Sequence, residues 1–145
     1  MLGSLARWLR LAGYDVWYDA RAEDRELTRL SRLTGRVLLT RDRALASSRG
    51  IRVLYIQSQK VQEQLAQVLR AFPPQSESAI QPRCSRCNQP LVEVDKYEVE
   101  GLVPPFVWVN QQRFWRCPSC HNVYWRGSHW QHFSLCLREA ARASV

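Results

Sequence analysis

The sequence has no long apolar run. Its hydrophobic stretches last only a few residues, far short of the roughly 20 that a membrane helix needs. The opening MLGSLARWLRLAG carries Arg7 and Arg10 where a signal peptide requires an unbroken apolar core. A soluble, cytoplasmic chain without an export signal or membrane partner is the expectation. Lysine is scarce as well: Lys60 and Lys96 are the only two among 21 basic residues. An excess built from arginine suits bidentate grip on phosphate or carboxylate, although a genome rich in arginine codons leaves the same mark. Internal repeats and long low-complexity tracts are missing too, which speaks against a repeat architecture.

What is present is enough for a packed protein. With 46% hydrophobic residues, the chain can bury one ordinary core or two small ones. The formal charge is +8, and it is uneven: through Phe72 there are 13 basic residues against 7 acidic ones, and 8 against 6 thereafter. A nucleic-acid partner is compatible with that excess.

Leu2, Leu5, Leu9 and Ala12 are spaced as one helix face, with Gly13 placed to end it. DVWY (15–18) reads as a short strand. Asp24 is placed to cap a second helix through Leu27, Leu30 and Thr34, which Gly35 closes. RVLLT is the next strand, ALASSR a short helix and IRVLYI (51–56) another strand. Val61, Leu65, Val68, Leu69 and Phe72 form the stripe of a further helix that Pro73 and Pro74 stop. Strands alternating with helices imply an α/β fold with a parallel sheet. PPQSESAIQPR (73–83) suits a linker. Beyond it lie LVEV, VPPFVWV, RFWR and NVYW, then an amphipathic helix from about Ser128 with Trp130, Phe133, Leu137 and Ala141 on one face. The expected units are therefore 1–72, the linker 73–83, and 84–145.

Five cysteines in a chain without an export signal point away from a disulfide framework. CSRC (Cys84, Cys87) and CPSC (Cys117, Cys120) are paired turns. Each presents two thiolates to one tetrahedral ion, and together they complete a closed structural zinc site. The gap from 88 to 116 exceeds the usual spacing, so an inserted excursion is expected there. CPSC alone resembles a redox dithiol, but such a motif opens a helix, and HNVYW after it reads as a strand. Cys136 is read as a small buried hydrophobe in the last helix, and His121 as a ligand only if a thiol fails. For a unit of 62 residues the metal contributes folding energy rather than chemistry.

In RVLLTRDRAL (36–45), Asp42 stands between Arg41 and Arg43, just beyond the carboxyl end of a buried strand. Ligands collect at that end of a parallel sheet. Asp24 heads the preceding helix and could face the same rim, with Glu23, Asp19 and Asp15 nearby. Mg²⁺ is held by one or two carboxylates with waters and phosphate oxygens, and Arg7, Arg10, Arg41 and Arg43 could grip flanking phosphates. The plainer reading makes Asp24 and Asp42 helix caps and the arginines a solvated rim.

LARWLRLAGYDV, AEDREL, GRVLLTRDRAL, the two Cys-X-X-Cys pairs and YWRGSHW follow one another in the order found in the Mut-seven C-terminal ribonuclease family, which the chain resembles over nearly its whole length. The resemblance implies a PIN-like nuclease domain over 1–72 and a zinc ribbon with a C-terminal helix over 84–145. It also implies an RNA substrate and acidic residues binding Mg²⁺ or Mn²⁺, here Asp24 and Asp42, with Arg7 and Arg43 as companions. The family pattern opens with a strand bearing an Asp ahead of the first helix. That strand has no counterpart here, so the sheet should lack a central strand and the site one carboxylate.

YWRGSHW (124–130) sets Trp125, Arg126, His129 and Trp130 close together. Aromatics interleaved with arginine can stack unpaired bases while holding phosphate, or the tryptophans can fill a small core. His129 and His132, three apart, could hold a metal or simply lie on the surface. The function expected is a metal-dependent endoribonuclease whose ribbon helps bind RNA. The rival is an RNA- or ribosome-binding protein without catalysis.

Overall fold

The computed structural model describes residues 2–74, 76 and 79–143, with the backbone alone at 129 and 140–143. Helix α1 (Gly3–Leu11) buries Leu5, Leu9 and, just past its end, Ala12, the face its spacing predicts. Gly13 then turns the chain at φ +93°, and a Cβ there would meet Gln81 O at 3.0 Å. Only glycine satisfies both demands.

Residues 15–18 run on without a ladder partner, so the expected DVWY strand is not formed. Helix α2 (Asp24–Thr34) follows; Glu23, not Asp24, is its N-cap residue, and Gly35 closes it in the left-handed region at φ 72°. Strand β1 (Leu38–Thr40) leads through Asp42 into α3 (Arg43–Ala46), and β2 (Val53–Tyr55) pairs with β1 in parallel, Leu38 opposite Val53 and Thr40 opposite Tyr55. Helix α4 (Val61–Ala71) completes this part and buries Leu65, Val68 and Leu69. The parallel sheet thus has two strands among the described residues.

From Arg83 onward the chain builds a three-stranded antiparallel sheet in the order β3 (Val92–Val94), β4 (Phe114–Arg116), β5 (Val123–Trp125). The long interval between the cysteine pairs holds β3, a 3₁₀ turn at Lys96–Val99 and helix α5 (Pro105–Asn110). This excursion has its own core of Val99, Val103, Val107 and Phe114, with Trp125 packed against it.

The last helix, α6 (Ser128–Ala143), returns to the other part of the molecule. Phe133 is 1% exposed among Leu5, Leu9, Leu65, Val68 and Leu69, with Trp130 and Leu137 beside it. Trp130, Phe133 and Leu137 do share a buried face, and that face seals α1 and α4 rather than the ribbon; the side chain of Ala141 lies outside the described residues. Amphipathicity identified the stripe but not its partner, because the core it completes is built from α1 and α4, far earlier in the chain. The architecture is therefore α/β, with a small parallel sheet, flanking helices, a four-cysteine cluster on an antiparallel sheet, and a C-terminal helix.

Candidate metal centre and nucleic-acid site

The two Cys-X-X-Cys turns fold alike. Cys84 N–H donates to Gln89 O at 2.8 Å and Cys117 N–H to Asn122 O at 3.0 Å; Asn88 N–H returns to Cys84 O at 2.9 Å and His121 N–H to Cys117 O at 3.0 Å. Asn88 and His121 both sit at positive φ, 64° and 67°, the left-handed corner that swings each chain away from its sulfurs. Amide N–H groups point inward, from Cys87 to Cys84 Sγ at 3.4 Å and from Ser119 and Cys120 to Cys117 Sγ at 3.4 and 3.5 Å.

All four sulfurs lie within 4.8 Å of one another, and those of Cys84 and Cys120 are 3.7 Å apart. Tetrahedral thiolate ligation at about 2.3 Å per bond separates its sulfurs by roughly 3.8 Å, so the residues fit a metal such as zinc. Burial alone would push the Cys84 thiol up, but the Tyr124 hydroxyl at 3.1 Å and the amides of Cys87 and Arg86 bring it to about 7. Cys87 is pushed up to about 12 by its bond to Cys120, by burial and by the charge of Cys84. A second negative charge therefore resists forming until a cation balances it. The four sulfurs need no help from His121, which is exposed. Cys117–Cys120 leads into β5, not a helix, so the redox reading loses its geometry. Cys136 packs against the α1–α4 core, as expected of a small hydrophobe.

Arg10 was expected to grip phosphate, and it is placed elsewhere. It is 9% exposed, and its guanidinium donates to Val16 O (Nε 3.1 Å, Nη2 2.8 Å), Ser85 O (2.9 Å) and Arg86 O (3.5 Å). Burial draws its pKa below the ordinary value, opposed by the charges of Cys84, Cys87 and Asp15. A long cation on an amphipathic helix reads as a surface residue, and no local pattern reveals the carbonyls waiting 75 residues on. Asn88 reinforces the same junction, its Nδ2 donating to Asp15 Oδ1 at 2.7 Å and its Oδ1 accepting from Val16 N–H at 3.1 Å.

At the rim of the parallel sheet, Asp42 is exposed, two residues beyond β1. Its Oδ1 accepts from Leu45 N–H at 3.1 Å and so caps α3, while its own N–H donates to Thr40 Oγ1 at 3.0 Å. Asp24 is exposed on the first turn of α2 and lines a cavity of about 610 Å³ together with Asp15, Asp19, Thr40 and Arg41. The wider gathering of carboxylates is not formed: among the described residues the four cysteines are the only group of three or more side chains placed to share an ion. Asp15 is drawn away by Arg36 Nη2, at 3.0 Å, and by Asn88, and these contacts hold its carboxyl below the usual range. Asp19 Oδ1 closes a turn on Arg21 N–H at 2.9 Å.

Of the arginines, Arg7 and Arg43 are exposed, with Arg43 set 6.0 Å over the Tyr55 ring. Arg41 is half-buried, and its Nε is buried without a partner. On the ribbon, Arg126 lies between two indoles, 4.2 Å from the Trp130 ring and 5.1 Å from Trp115, while Arg113 stands 5.0 Å from Trp115 and forks onto Glu93 at 2.9 and 3.1 Å. Trp115 is buried and Trp125 is half-buried in the excursion core, so both indoles pack. The side chain of His129 lies outside the described residues.

Among the described residues no helix is long and apolar enough to cross a membrane. No curated protein and no solved structure matches the chain. A family profile does, that of the Mut7-C RNAse domain, over residues 1–137. That match spans α1 through most of α6 and includes the rim and all four clustered cysteines, so the chain belongs to the Mut7-C RNAse domain family.

Proposed function

We propose that the protein is a metal-dependent endoribonuclease in which Asp24 and Asp42 hold Mg²⁺ or Mn²⁺ and the zinc-bound ribbon helps bind RNA. One observation carries this reading: Asp24 lines the same cavity as Thr40 and Arg41, and Asp42 follows Arg41 in the chain. Two carboxylates suffice for a hard cation whose other ligands are waters and phosphate oxygens. A bound ion there supplies Lewis acidity and an activated water.

The chain's own residues do the rest. Leu45 N–H fixes the Asp42 carboxylate through Oδ1 and leaves Oδ2 for other work. Arg41 and Arg43 flank it as phosphate donors, Arg43 steadied by Tyr55, and Arg7 extends the basic surface along α1. Trp115 and Trp130 hold the Arg126 guanidinium in place, which presents a preorganised cation on the ribbon. Asp24→Asn and Asp42→Asn should abolish metal-dependent cleavage of single-stranded RNA and leave binding intact.

A second reading, binding of RNA without cleavage, is favoured because no group of three or more acidic side chains is placed to share an ion among the described residues. It gives salt-sensitive binding that needs no divalent ion. Cleavage in Mn²⁺ that depends on Asp24 or Asp42 separates the two.

A further inference from the structure

The interval between the cysteine pairs has a chemistry of its own. Of the chain's 13 acidic and 21 basic residues, the stretch 92–111 holds four of the first, Glu93, Asp95, Glu98 and Glu100, and one of the second, Lys96. Glu93 is forked onto Arg113, and the Lys96 ammonium lies 4.6 Å over the Trp108 ring. Asp95, Glu98 and Glu100 are exposed, and none forms an ion pair among the described residues. An acidic spot thus stands on a strongly basic molecule.

The same interval is apolar on its surface. Leu102, Phe106 and Val109 are 57, 70 and 63% exposed and Tyr97 is 74% exposed; with Val92 they make up half of the ten large hydrophobic side chains exposed among the described residues. Exposed apolar side chains gathered together and rimmed by polar ones mark an interaction site, whereas scattered ones do not. Phe106 and Val109, three apart on α5, are neighbours on one face, while Val107 turns away into the excursion core. The Tyr97 ring stands edge-on to Trp108 at 5.9 Å, which brings the 3₁₀ turn and its carboxylates against α5. The surface is also held in shape. Asp95 and Glu98 close a capping box on that turn, and Trp108 Nε1 donates to Lys96 O at 2.8 Å. A preordered surface loses little entropy on binding.

We infer that the face of Leu102, Phe106 and Val109, with Tyr97 beside it, is a docking surface for a separate protein, and that the occupant is an amphipathic segment whose lysines or arginines bracket apolar anchors. The occupant follows from the charges. Asp95, Glu98 and Glu100 repel phosphate, which disfavours both RNA and an anionic lipid surface. A second copy meeting the patch across a two-fold axis sets these carboxylates against their equals, and one meeting it with its basic surface adds copies head to tail without limit unless a ring closes. A cationic partner instead gains from the same charges, which also steer its approach.

The test uses the zinc-loaded full chain and a fluorescein-labelled peptide of three Leu-Leu-Lys-Lys repeats, whose leucines share one helix face. Anisotropy should show binding that weakens as salt rises. A peptide with glutamine for every leucine and one with glutamate for every lysine should each bind at least tenfold more weakly. Phe106→Ser with Val109→Ser should cost about tenfold, Glu98→Gln with Glu100→Gln several-fold, and Phe106→Leu little. These positions are exposed, and glutamine serves in a capping box as glutamate does, so urea midpoints should match the wild type. No binding by the wild type, or undiminished binding by both double variants, would overturn the inference. Self-association in sedimentation velocity that Phe106→Ser abolishes would assign the face to a second copy, and weaker RNA binding by that variant would assign it to RNA; either would overturn the protein partner. The readout involves no cleavage, so it stands apart from the ribonuclease reading.

Discussion

The guanidinium of Arg10 donates to the carbonyl of Ser85 at 2.9 Å, inside the turn that joins Cys84 to Cys87. The same guanidinium holds Val16 O, so one side chain on α1 ties the metal turn to the extended chain beside β1. Asn88 doubles the tie through Asp15 and Val16. The metal centre and the wall of the candidate nuclease cavity are thereby one hydrogen-bonded unit.

Arg10→Ala should destabilise the protein by about 2 to 4 kcal/mol, because it strips buried carbonyls of a charged donor. Arg10→Lys should recover only part, since an ammonium cannot fork to Val16 and Ser85 together. Urea unfolding midpoints at fixed zinc measure both.

Zinc removal should be felt outside the ribbon. Chelation, or Cys84→Ser, should release the turn that Arg10 and Asn88 bind. Amides at 16–18 should then lose protection while β2 keeps its own, and metal analysis should return one zinc per chain for the wild type and none for the variant.

Asp15 gives the pH dependence. Its carboxyl is held below the usual range, first by the Arg36 hydrogen bond and then by Asn88. A depressed folded pKa contributes stability that is present above the unfolded value, near 3.9 for Asp, and lost as pH falls through the folded value. The Asp15→Asn chain should lack this acid limb. Since both partners are well exposed, the slope should be shallow and weaken with salt.

Phe133→Ala should cost about 3 to 5 kcal/mol, since Phe133 is fully buried where α6 closes on α1 and α4. The loss should appear as exchange in α1 and α4, not in β3–β5.

What the sequence revealed depended on how local the cause was. The two cysteine turns, the glycine at 35 and the stripes of α1, α4 and α6 are set by spacing within a few residues, and they are found as expected except at Phe72, which is exposed at the end of α4, and at Ala141, whose side chain lies outside the described residues. The strand at 15–18 failed because a strand needs a neighbour, and no ladder partner meets those residues among the described ones. Asp42 was legible as a cap and Asp24 was not, since Glu23 takes that place. Arg10, Asn88 and Tyr124 owe their roles to contacts many residues away. Only Asn88 carried a signal, being an asparagine at the left-handed corner after a cysteine turn.

Cleavage of a labelled single-stranded RNA in Mn²⁺ by wild type, Asp24→Asn and Asp42→Asn bears most directly on the two rim carboxylates. Asparagine keeps the cap at 42 while removing the charge, so both variants should stay folded and bind RNA within about twofold of wild type. Each should cleave at least 100-fold more slowly, the order expected when a metal ligand is lost. Undiminished metal-dependent cleavage in both would contradict the assignment of Asp24 and Asp42.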